Sequence, residues 1–199
     1  MKTFVKILSP IIIIVGLYFI FKEKEVIQPP GILAPHNPKQ TILKNQESWI
    51  ADDFTYYPIA QFEVEAKVLS IRFYGSDEMS EFCPVDIALG WGKMSDQTIV
   101  DRFEIKQQHR WYVWRTDNFP IPKKEVEKSS SNVHIIPANE EVEDLLDDVS
   151  RGNIISIKGK LVNVNEIGEK FVYKSSTQRD DTGGGACEIL WLEELSIIM

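Results

Sequence analysis

Cys187 is the residue of this chain best suited to chemistry. A thiol becomes a nucleophile when an imidazole can take its proton and a positive group can steady the developing charge. His134 could be that base and Arg179 that cation, and a glycine-rich approach, Gly183-Gly184-Gly185, leads into Cys187. Cys83 is the only other cysteine, so two uses compete with catalysis. A Cys83–Cys187 disulfide is possible and would contribute about 4 to 5 kcal/mol by loop entropy. The plainer expectation is two separate buried thiols.

Other polar residues crowd the same stretch of sequence. Asn132, Ser175, Ser176 and Asp180 are candidate ligand-binding residues, although turn chemistry also accounts for such residues. Trp91 and Arg110 belong to the densest aromatic and cationic group, with Trp111, Tyr112 and Trp114. Strand alternation puts Trp111 and Val113 on one face and Tyr112 and Trp114 on the other. One set must leave the main core, which makes a groove for a glycan or peptide conceivable. No metal site is expected, because His36, His109 and His134 have no second ligand at metal spacing. No cofactor motif is present either.

These residues need a scaffold, and the periodicity supplies one. Phe62, Val64, Ala66 and Val68 alternate with Glu63, Glu65 and Lys67, the period of two of a half-buried strand. Further strands are expected over 86–91, 98–105, 110–114, 133–136, 154–164, 170–174 and 188–197. Residues 123–131, rich in charge and serine, read as a loop. A helix is expected over about 140–151, where Val142, Leu145, Leu146 and Val149 form one apolar stripe behind an Asn139 cap. The expected fold class is β-rich α+β: a mostly antiparallel, partly closed barrel or sandwich with one main helix, preceded by one N-terminal transmembrane helix.

That transmembrane helix is read from residues 4–21, an apolar run with no small-residue cleavage site behind it. The expected organisation is a cytoplasmic tip and anchor over 1–25, a proline-containing linker over 26–47, and a β-rich globular domain over 48–199. A short basic N-terminus favours N-in orientation, so the domain is expected outside the inner membrane, periplasmic or extracellular. The membrane would be one partner through residues 4–21. A coil of the linker's length spans roughly 25 Å, which would hold the domain near the bilayer.

Charge narrows the partners further. The chain carries a net −8, and the part beyond residue 25 carries 18 basic against 28 acidic residues. Such a surface repels phosphate backbones, so no nucleic acid is expected. A non-catalytic binding or assembly module for a peptide, glycan or envelope protein is the leading expectation. The alternative is a cysteine-dependent hydrolase or transpeptidase using Cys187 and His134. An N-terminal anchor, a β-barrel, a His and a later Cys at a strand end are together similar in outline to sortases. The Thr-Leu-x-Thr pattern of that family is absent before Cys187, and no Arg follows it.

A second resemblance rests on longer runs. Asp86-Ile-Ala-Leu-Gly-Trp-Gly-Lys-Met-Ser-Asp96, Ser131-Asn-Val-His-Ile-Ile-Pro137, Ser175-Ser176 and Arg179-Asp-Asp-Thr-Gly-Gly-Gly-Ala-Cys-Glu188 resemble a family of bacterial single-pass membrane-anchored proteins with no known activity. The resemblance implies a shared fold and carries over no substrate, cofactor or catalytic residue.

Overall fold

The computed structural model describes residues 25–167, 173–178 and 187–199. Strand β3 (Phe54–Phe73) organises it, because a 20-residue strand is long enough to serve two partners. Its first part pairs antiparallel with β8 (Ile154–Glu166), and its end, from Lys67, pairs antiparallel with β4 (Val85–Gly90). Register shifts at Pro58/Ala60 and Val68/Ser70 bend it between the two. β4 continues to β7 (Ser130–Pro137), β7 pairs parallel with β9 (Glu188–Ile197), and β9 returns antiparallel to β8. The sheet thus curls back on itself into a partly closed barrel, β-rich as the alternation required. Counting β3, β4, β7, β8 and β9 as strands one to five, this is the connectivity of an OB-type barrel.

The interior is filled by the inward positions of every barrel strand, among them Phe62, Val64, Val68, Ile87, Ile135, Ile157 and Leu190. Helix α3 (Glu140–Asp147) adds Val142 and Leu146 to this core, with Val149 just beyond it. Asn139 caps the helix by accepting a hydrogen bond from the Val142 amide at 3.0 Å. The helix ends four residues before the expected Arg151. Gly152 does take a positive φ, +91°, but in a later turn where an added Cβ would lie 1.8 Å from the Val26 carbonyl oxygen.

Several expected elements are corrected. Among the described residues no helix is long and apolar enough to cross a membrane, so the transmembrane helix of the expected fold class is not found. Residues 4–21, on which it was placed, lie outside the described residues. The strand expected over 98–105 is a short helix α1 (Gln97–Val100) followed by β5 (Glu104–Gln108), because the Asp96 side chain caps the Thr98 amide at 2.9 Å. The loop expected over 123–131 contains helix α2 (Lys123–Lys128), started by Pro122. From the strand expected over 170–174, a single bridge, Tyr173 to Val164, falls in the described residues.

The proline-containing stretch beyond residue 25 lies along the domain as a strap. The Val26 amide donates to the Arg151 carbonyl at 2.8 Å, and the Gly31 amide to Asp96 Oδ1 at 3.1 Å. Ser95 Oγ accepts from both Leu33 and Ala34, at 3.2 and 3.1 Å. β1 (Lys39–Ile42) and β2 (Trp49–Ala51) then pair with β3. Beneath the strap Lys67 is buried at a position the alternation assigned to solvent, its ammonium donating to Gln97 Oε1.

Candidate active site

The site gathers around a buried carboxylate. Asp86 sits in β4 among Val85, Ile87, Ala88 and Leu89 with no solvent exposure. A carboxylate at such a depth needs cationic or hydrogen-bonding partners. Two cations meet it. His134 on neighbouring β7 stands opposite Asp86 in the ladder and places Nδ1 2.8 Å from Asp86 Oδ1. Arg110 Nη1 approaches the same oxygen at 2.9 Å. The second carboxylate oxygen is buried without a hydrogen-bond partner among the described residues.

Arg110 is held from several sides. Its Nε and Nη2 grip Asp77 at 2.9 and 2.6 Å, Nη1 also donates to the Cys83 carbonyl at 2.9 Å, and the guanidinium lies 3.8 Å from the Tyr74 ring centroid. It occupies a two-residue hairpin turn between β5 and β6 (Trp111–Arg115), where His109 and Arg110 hold φ of +52° and +64°. Such turns favour Asn and Gly. Here the guanidinium contacts offset the backbone strain and fix the hairpin beside the barrel. Asn132 Nδ2 donates to the Arg110 carbonyl at 3.2 Å, and Asn132 Oδ1 accepts from Gln107 Nε2 at 2.7 Å.

His134 also interacts with the side chain of Cys187, the residue just before β9, on a shared cavity. The parallel β7–β9 ladder sets this meeting, since it pairs Val133 with Glu188 and His134 with Ile189. With Nδ1 turned to Asp86, Nε2 is the ring nitrogen left for sulfur. Burial alone would push the imidazole pKa down. The hydrogen bonds to Asp86 and Cys187 outweigh it and raise the pKa to about 9. At neutral pH His134 is therefore an imidazolium between a carboxylate and a cysteine.

Cys187 is half-buried and faces a cavity of about 250 Å³, shared with Met79, Trp111, His134, Lys174 and Ile189. Ser175 and Ser176 hold the segment opposite it. Ser175 Oγ accepts from the Ile189 amide at 2.9 Å, and the Ser176 amide donates to the Cys187 carbonyl at 3.0 Å. Of the candidate residues, Cys187, His134, Arg110, Asn132, Ser175 and Ser176 thus converge. Arg179 and Asp180 lie outside the described residues. Trp91 does not join them: it is packed in the barrel core, its indole N–H without a partner among the described residues.

Both members of the possible Cys83–Cys187 disulfide are free in the structure. Cys83 is fully buried with its thiol donating to the Ile135 carbonyl at 3.2 Å, and burial raises its pKa well above the ordinary value. Cys83, Asp86 and His134 do bring ligand atoms within 4.8 Å of one another. That donor set suits a metal poorly. Metals want a thiolate, Cys83 is kept a thiol, and the Arg110 guanidinium already faces the same carboxylate.

Asp86, Asp77 and Lys174 are the site residues that sequence reasoning missed. A signal for the first existed, a lone aspartate inside an otherwise apolar strand, which implies a buried charged partner. No protein-family model, curated protein or solved structure matches this chain.

Proposed function

We propose that the domain is a cysteine-dependent acyl-transfer enzyme, a hydrolase or transpeptidase, with Cys187 as nucleophile. The observation that carries this reading is His134, which is hydrogen-bonded to Asp86 on one side and shares a cavity with Cys187 on the other. Nucleophile, base and orienting carboxylate in sequence are the shared logic of catalytic triads on unrelated folds. His134 holds the proton given up by sulfur and returns it to the leaving group. Asp86 is a positioning residue: it fixes the imidazole's orientation and stabilises its charge, and Arg110 anchors Asp86 in turn.

Location supports a ligand site here. OB-type barrels take ligands on their second and third strands and in the loops joining strands one to two and four to five. Here those strands carry Asp86 and His134, and those loops carry Met79, Lys174 and Cys187. A second reading, a non-catalytic binding module for a peptide, glycan or protein, is favoured by Trp111 and Val113, which the β5–β6 hairpin leaves 39% and 43% exposed.

Incubating the full chain with p-nitrophenyl hexanoate separates the two. The enzyme reading expects a burst of p-nitrophenolate and a hexanoyl mass adduct mapped to Cys187. Cys187→Ala removes both, and His134→Ala slows acylation by about 100-fold or more, the usual contribution of a positioned acid-base group. Undiminished turnover in Cys187→Ala, or no thiol adduct, leaves the binding module.

A further inference from the structure

The cavity at Cys187 is two-faced, and its two faces describe an acyl group. Met79, Trp111 and Ile189 offer an apolar wall, with Trp111 open to solvent along the hairpin. Lys174 stands on the same cavity, and among the described residues no carboxylate pairs with it. The other cation on the rim, Arg110, is already committed to Asp77 and Asp86. On a chain of net charge −8, an ammonium that no described carboxylate pairs with, standing beside the thiol, is a local exception to the repulsion an anion meets elsewhere.

We infer, resting on the acyl-transfer reading, that the substrate is an acyl donor whose apolar arm ends in a carboxylate, the arm lying on Trp111 and the carboxylate on Lys174. In the step itself Cys187 Sγ, its proton already on His134, attacks the carbonyl carbon; the C–S bond forms, the bond to the leaving oxygen breaks, and His134 gives its proton to that oxygen. Water then attacks the thioester and passes a proton back to His134, the C–S bond breaks, and the acid is released with sulfur and imidazolium restored.

Two esters of equal chain length test this: p-nitrophenyl hexanoate and the mono-p-nitrophenyl ester of adipic acid. The ratio of their kcat/KM values is expected to favour the adipate ester at least tenfold, mainly through KM, and to shrink as salt is added. In Lys174→Glu the ratio is expected to fall to one or below. A ratio near one in the unaltered protein overturns the inference while leaving Cys187 as nucleophile. An equal loss of kcat for both esters in Lys174→Glu also overturns it, by assigning Lys174 to the oxyanion instead. Protection of Cys187 from iodoacetamide by monomethyl adipate, compared with methyl hexanoate, reads binding without turnover. Preferential protection without acylation would keep the anion site and sink the enzyme reading.

Discussion

At the scale of single residues, the stability of this protein should record the Asp86–His134 contact through pH. His134 has its pKa raised from 6.5 to about 9 in the folded state, the hydrogen bonds to Asp86 and Cys187 overcoming the opposing effect of burial. A raised folded pKa means that the folded state binds the proton more tightly than the unfolded chain does. The stabilisation is therefore complete below about 6.5 and is lost as pH rises through about 9. Urea midpoints measured from pH 6 to 10 should fall across that interval. In Asp86→Asn the fall should be much reduced, and stability at pH 6 should drop by about 3 kcal/mol, because two cations lose their common buried partner. A pH profile unchanged in the variant would show that some other group titrates. Cys187 and His134 were legible as a pair because thiol chemistry demands a base, whichever strands carry them. Asp86 was hidden by its context, an apolar run that reads as core, and Lys174 by the ordinariness of a surface lysine. Only the β4–β7 register, which puts Asp86 opposite His134, reveals why the carboxylate is there.

Individual elements were legible where periodicity acts alone. β9 lies over 188–197 as its branched and aromatic residues require, and α3 begins at its Asn139 cap. The errors fall where a local hydrogen bond overrides propensity. Thr98-Ile99-Val100 is a β-prone run, yet the Asp96 carboxylate accepts the Thr98 amide and starts a turn of helix instead. The strap is a similar case. Its prolines favour an extended chain, and it is extended, but Ser95 recruits it to the domain by accepting two of its amides and donating to the Gly92 carbonyl at 2.7 Å. Ser95 is fully buried, so its removal leaves two amide donors without an acceptor. Ser95→Ala should cost about 2 to 4 kcal/mol by urea unfolding and should expose residues 25–38 to limited proteolysis under native conditions. A loss below about 0.5 kcal/mol with unchanged proteolysis would mean that β1 pairing alone holds the strap.

For the molecule as a whole, closure of the barrel decides what cross-links are needed. A β-rich domain held by one curled sheet could depend on a covalent staple, and an even cysteine count invites that reading. The structure resolves it by geometry that no sequence contains. Cys83 points its thiol at the Ile135 carbonyl within the barrel wall, while Cys187 faces the open cavity beside His134. Stability must then come from the barrel itself, where β3 joins both β4 and β8 and buries Phe62, Val64, Ala66 and Val68. Urea unfolding with and without dithiothreitol should accordingly superimpose. A Cys83–Cys187 bridge would instead make reduction cost about 4 to 5 kcal/mol. Thiol titration adds an independent count. One group should react with Ellman's reagent in the native protein and two after denaturation, the second being Cys83, whose reaction requires the barrel to open. Zero reactive thiols before reduction would restore the bridge and, by tying up the sulfur of Cys187, remove the nucleophile on which the acyl-transfer reading stands.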